Sequence, residues 1–176
     1  MKQRLWHASD QEDIQVFAPR PIPTAASGEP GGVVWAIDET RLVNYLLPRE
    51  CPRVCFWRGP KTTDEDVARF LGATSHSIVV EDRWMTEIRS SSIWLYELPR
   101  GHFKCLDENA GYYTSAVAVK PIRKEHVNNL PVVISARGAE LKATGRLLEL
   151  AAAVESSSLA FSIIRLRNAS HVPNAA

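Results

Sequence analysis

Apolar and polar positions alternate with a period of two along several short runs of the chain, which is the pattern of half-buried strands. The first is LWHASD, from Leu5 to Asp10, where alternation sends Leu5, His7 and Ser9 to one face and Trp6 and Ala8 to the other. VVWAID (33–38), RVCFW (53–57), HSIVVED from His76, and SIWLYELP before Gly101 repeat the β-branched and aromatic pattern. His102 to Leu106 and Tyr112 to Val119, separated by the polar DENAG turn, predict a β-hairpin that ends at Pro121.

Helical spacing appears between these runs. Gln11 to Phe17 reads as a helical turn, and Asp38 as the N-cap of ETRLVNYLL, with Leu42, Tyr45 and Leu46 on one face and Pro48 as the stop. Thr62 with Glu65 forms a capping-box signature ahead of Val67, Phe70 and Leu71, and Gly72 closes that helix. Asp82 caps a short helix through Trp84, Met85 and Ile88, and Thr144 caps another carrying Leu147, Leu150, Ala151 and Val154. LAFSIIRLRN (159–168) suits strand or helix, and strand is favoured. The fifteen residues from Ala18 to Gly32 are rich in Pro, Gly, Ala and Ser and predict a loop, functional or disordered.

Seven or eight strands with four or five short helices interspersed, neither strictly alternating nor segregated, predict an α+β class with a mixed, largely antiparallel sheet. A chain of 176 residues fits a single domain over 1–176, and Val127 to Pro131 is where a C-terminal appendage, from about residue 131, would join.

Composition adds mainly exclusions. An apolar share of 45%, a charged share of 23%, a net charge of +1 and a pI of about 7.8 are those of an ordinary soluble domain, so nucleic acid could be held only by a local arginine cluster. No run is long enough to span a membrane, no secretory leader is visible, and three cysteines cannot all pair, which makes cytoplasmic the expected location. P-loop, dinucleotide-fold, α/β-hydrolase and zincin signatures are absent.

Each remaining candidate has a structural rival. Cys51, Cys55, His102 and Cys105 are the ligand types of a zinc site, but the strand through Arg53 to Trp57 makes Cys55 a packing residue, and no metal is expected. His7 and Ser9 share a face but stand roughly 6 to 7 Å apart on a strand, too far for a nucleophile–base dyad. The carboxylates at Asp38 and Glu39, and at Glu81 and Asp82, fall at strand-to-helix junctions where capping explains them. Arg20, Arg41, Arg49 and Arg53 gather around the long loop and the first helix, and arginine is suited to bidentate phosphate recognition. Trp35, Tyr45, Tyr112 and Tyr113 are core residues by default, yet aromatics beside a polar cleft stack on a nicotinamide or a base.

The order LWHAS, Pro- and Gly-rich loop, then GGVVWAID with a helix behind it resembles the ADP-ribosyltransferase superfamily. The closest likeness is to its RNA 2'-phosphotransferase branch, which FKCLDENAGYYTSAVAVKPI also resembles. At full length the chain is similar to a family of small uncharacterised bacterial proteins, through VVWAID, YLLPRECPRV, AGYYTS and FSIIRLRN.

The superfamily resemblance implies that His7 binds a ribose hydroxyl of NAD, that Ser9 hydrogen-bonds nearby, and that Trp35 takes the place of a stacking tyrosine. It also implies a glutamate on the last shared strand, where Tyr112 to Ser115 hold no acid; this departure counts against protein ADP-ribosylation. In the phosphotransferase branch that glutamate is absent too, and arginines position a phosphate, which would be the task of Arg20 and Arg49. The arginine-bearing N-terminal domain expected of that branch does not precede the histidine strand.

The leading expectation is therefore an NAD- or nucleotide-binding transferase, with His7, Arg20 and Arg49 catalytic and His7, Ser9, Trp35, Tyr112 and Tyr113 at the cofactor, in a cleft where His7, Ser9, Trp35 and Tyr113 meet. The alternative is a non-catalytic module on the same scaffold that binds a nucleotide or a protein partner. A third reading is an unrelated fold in which His7 is structural.

Overall fold

Ten strands with short helices interspersed make up the computed structural model, which describes residues 4–21 and 32–170. In chain order they are β1 (Leu5–Ser9), β2 (Val34–Asp38), β3 (Arg53–Trp57), α1 (Asp64–Asp66), β4 (His76–Glu81), α2 (Met85–Ser90), β5 (Ile93–Leu98), β6 (Lys104–Asp107), β7 (Tyr112–Ser115), β8 (Arg123–Val127), α3 (Leu130–Ala136), β9 (Glu140–Thr144), α4 (Leu147–Glu155) and β10 (Ala160–Ile164). The strands form two open sheets in which every pairing is antiparallel except β4 with β9, so the class is α+β. No helix among the described residues is long and apolar enough to cross a membrane.

The chain divides into two compact units, each built from two stretches: Met1–Tyr45 with Ile93–Val127, and Leu46–Ser92 with Asn128–Ala176. The first unit holds the sheet β6-β7-β2-β1-β5-β8. Its register pairs Leu5 with Asp38 and Leu98, and Ala36 with Tyr113, so one face carries Leu5, Val34, Ala36, Tyr96, Leu98 and Tyr113. Phe17, Phe103 and Val119 pack there, and together these residues are the unit's apolar core.

The second unit holds the sheet β10-β3-β4-β9. One face, with Val54, Phe56 and Val79, packs against Leu147, Ala151 and Val154, the buried stripe that helical spacing assigned to α4. Arg53 begins β3 buried, its Nη1 donating to the carbonyls of Pro48 (3.2 Å) and Cys51 (2.9 Å), so it ties down the preceding loop.

Several local expectations shift. ETRLVNYLL winds only as a 3-10 turn over Leu42–Tyr45, although Asp38 Oδ1 does accept the Arg41 N–H at 2.8 Å as a cap would. The N-cap of α1 is Thr63, whose hydroxyl accepts from Asp66 N, because the Thr62 hydroxyl already accepts from Gly59 N and donates to Ser158 O. α1 then widens into a π-helical turn, Val67–Leu71, before Gly72. Asp82 opens a 3-10 turn with no side-chain cap, and Thr144 Oγ1 accepts from Arg146 N at the entry to α4. Gln11 to Phe17 forms no helical turn: the Tyr96 hydroxyl donates to the carbonyls of Gln11 and Glu12 and accepts from Ile14 N, while Phe17 bridges to Val119. Residues 22–31 of the long loop lie outside the described residues. β10 is a strand as favoured.

Cys51 and Cys55 are fully buried, and burial pushes both thiols up to about 12, while Cys105 is exposed; none is in a disulfide. The thiolate is the reactive form. Native protein treated with a maleimide is therefore expected to gain one adduct, at Cys105, and two more only after unfolding in urea. Mass spectrometry reads the count, and more than one native adduct would contradict it.

Candidate functional site

β1 is an interior strand of the first unit, paired to β2 on one side and β5 on the other, so its side chains are sorted strictly between two faces. His7 and Ser9 lie on the core face with Trp94, Tyr96 and Tyr113. Trp6 and Ala8 lie on the opposite face with Trp35, Ile37, Tyr112 and Thr114. The expected meeting of His7, Ser9, Trp35 and Tyr113 in one cleft is therefore not what this register builds. A ligand lying on one face cannot touch the side chains of both His7 and Trp35.

His7 is half-buried, with its ring 4.8 Å from that of Phe17. Its Nδ1 stands 3.0 Å from the carbonyl of Trp35, so that nitrogen carries the proton and donates it. The imidazole reaches the Trp35 backbone from beneath, while the indole projects from the other side of the sheet. Ser9 Oγ accepts from Gln11 N at 3.1 Å and closes the turn after β1.

On the tryptophan face, three half-buried rings brace one another. Tyr112 meets Trp35 edge-on at 5.8 Å and 84°, and Tyr45 meets Tyr112 at 6.5 Å and 72°. The Tyr45 and Tyr112 hydroxyls are hydrogen-bonded at 2.9 Å. Register places Thr114 opposite Trp35 and Lys104 opposite Thr114, so an indole, a hydroxyl and an ammonium group form one row across three strands.

Tyr113 takes the other face. It is buried beneath the Arg100 guanidinium, 4.5 Å from the ring centroid, and burial, with Cys105 beside it, pushes its phenol up. β7, Tyr112–Ser115, holds no acid. Asp38, on neighbouring β2, does share the face of His7 and Tyr113, but its carboxylate caps Arg41 N and packs against Gly111.

The arginines divide between the units. Arg20 forms an isolated bridge with Val33, just before β2, through backbone bonds of 3.0 and 3.1 Å, and leaves its side chain exposed. Arg41 Nε donates to the Asn109 carbonyl at 2.9 Å, so it secures the β6–β7 turn. Arg53 and Arg49 belong to the second unit, the former buried on backbone carbonyls and the latter exposed beside Glu50. Among the described residues no group of three or more His, Cys, Asp or Glu could hold a metal ion.

Sequence reasoning missed Phe17 and Tyr96, the residues that enclose His7. The signal for Tyr96 was available, because it alternates in phase with Trp94 in SIWLYELP; Phe17 sits outside regular structure and gives none.

No curated protein and no solved structure matches the chain. A family model does match, across residues 6–169, from the histidine strand to the end of the second unit's described fold: the chain belongs to DUF6886, a family of unknown function.

Proposed function

We propose that the protein binds a nucleotide of the NAD class on the tryptophan face of its first unit, as a binding module of ADP-ribosyltransferase-like build. The observation that carries this reading is the bracing of half-buried Trp35 by Tyr112 and Tyr45, which leaves an indole that needs little ordering to stack on a flat ring. Lys104 lies two strands away, about 10 Å at ordinary strand spacing, a distance suited to a phosphate attached to a stacked nucleoside. Thr114 between them offers a hydroxyl to the ribose.

His7 then acts through Trp35 rather than on the ligand, by holding the Trp35 carbonyl. Binding without transfer is favoured because β7 supplies no carboxylate and Asp38 is engaged as a cap.

Calorimetric titration with NAD, with nicotinamide release followed in the same sample, tests the reading. The expected result is saturable binding without release, weakened about 5- to 150-fold in Trp35→Ala, the range for loss of one stacking contact. No heat, or equal affinity in the variant, would sink it; nicotinamide release would establish the transferase instead.

A further inference from the structure

In the second unit, two arginines, one exposed and one partly exposed, flank one carboxylate without forming a hydrogen bond to it. Glu50 Oε1 stands 3.8 Å from Arg49 Nε and 3.6 Å from Arg165 Nη2, too far for a hydrogen bond in either case. Arg167, two residues beyond Arg165, adds its positive field at the same carboxylate. Among the described residues the guanidinium groups of Arg49 and Arg165 donate no hydrogen bond to another protein group, so two forked donors face one point without a protein acceptor in hydrogen-bond range.

The segment that presents Arg165 and Arg167 is held firmly. Asn168 Nδ2 donates to Glu50 O (2.8 Å) and Glu50 Oε2 (2.9 Å), and Arg83 Nη2 donates to Asn168 O (2.8 Å). Glu81, buried, accepts Ser170 N at 2.7 Å and pairs with Arg83 at 2.9 Å. Within this clamp Arg165 is forced to φ 56 and ψ 27, left-handed backbone that a branched-free cation has no intrinsic reason to adopt. Glu50 itself is kept charged by the Asn168 hydrogen bond first and by the three arginines after it. Counting Arg49, Arg83, Arg165 and Arg167 against Glu50 and Glu81, the cluster carries two net positive charges on a chain whose total is +1.

We propose that Arg49 and Arg165 form a binding site for the phosphoryl group of a small molecule, with Arg167 adding its positive field, in which a phosphate oxygen replaces Glu50 Oε1. The two guanidinium groups converge on a single oxygen, and that span suits one phosphoryl group rather than a nucleic-acid backbone. Glu50 is then a resident competitor, which swings aside on its Asn168 side when the ligand arrives. The site lies wholly in the second unit and does not depend on the nucleotide-binding reading of the first.

The test is a titration of the full chain with inorganic pyrophosphate, at ionic strength held constant with KCl, followed by phosphorus NMR. Wild type is expected to give a saturable shift. Arg49→Ala and Arg165→Gly each weaken it about three- to tenfold, and Glu50→Gln tightens it by a similar factor. Arg165→Gly is chosen because glycine is at ease at φ 56, so thermal stability is retained while the guanidinium is lost. Arg58→Ala, beyond the far end of β3 and paired with Asp64, titrates like wild type. Absence of a saturable shift in wild type, wild-type affinity in both arginine variants, or weaker binding in Glu50→Gln would overturn the proposal.

Discussion

Gly32→Ala is expected to destabilise the protein by about 2–5 kcal/mol, the sum of left-handed backbone strain and steric overpacking. Gly32 holds φ +79, and a Cβ there would stand 2.3 Å from both the carbonyl carbon and oxygen of Arg20 and 2.7 Å from the nitrogen of Pro21. These are backbone atoms, fixed by the paired hydrogen bonds between Arg20 and Val33, and they cannot turn aside as a side-chain tip would. The methyl group must therefore part the bridge that brings the long loop back to β2. Gly138→Ala is the control: it holds the same φ, +79, with nothing within 4 Å of the added carbon, so it costs only the backbone term, about 1–2 kcal/mol. Urea midpoints of the two variants measure the difference, and equal losses would refute the steric argument.

Trp6→Ala should cost about 3–5 kcal/mol, the range for emptying a buried aromatic site. Trp6 is 1% exposed, and the guanidinium groups of Arg4 and Arg123 lie 5.4 and 5.3 Å from its ring. Its Nε1 donates to Glu39 Oε2 at 2.7 Å, and Glu39 also receives Arg4 at 3.0 Å, while Arg123 is paired with Glu97 at 2.7 Å. Removing the indole thus empties volume and unseats two ion pairs that use its surface. Trp6→Phe keeps most of the apolar volume and loses the N–H, at about 1–2 kcal/mol. Chemical denaturation of both variants tests this order; a phenylalanine variant as unstable as the alanine variant would mean that the Glu39 bond, not packing, dominates.

Alternation made the interior strands legible. RVCFW is β3 to the residue, and LWHAS and VWAID form β1 and β2, because strands packed on an apolar core must repeat every second position. β8, RKEHV, and β9, ELKAT, escaped notice because both are edge strands with largely polar side chains, so no apolar period marks them. α3, LPVVISA, is rich in β-branched residues, and its helix is signalled only by Pro131 in its first turn.

The site was legible within strands but not between them. That His7 and Ser9 share a face follows from period two alone. Whether Trp35 joins them depends on the pairing of Leu5 with Asp38, which puts residue 36 rather than 35 in phase with His7. A register is a relation between distant segments, and no single segment records it. The approach of Arg165 to Arg49 and Glu50 is equally invisible along the chain, since β10 must pair with β3 before it happens.

The interleaved course of the two units sets a timetable for synthesis. As the chain leaves the ribosome, β1 meets β2 early, but its second neighbour, β5, emerges only after the whole Leu46–Ser92 excursion has been made. β3 waits in turn for β10, near the end of the described chain, and β4 for β9. Both sheets thus close late, and until then interior strands present bare hydrogen-bonding edges to other nascent chains. Neither unit can be produced by cutting the gene at one point, and the first cannot mature until the opening stretch of the second, Leu46–Ser92, has already been made.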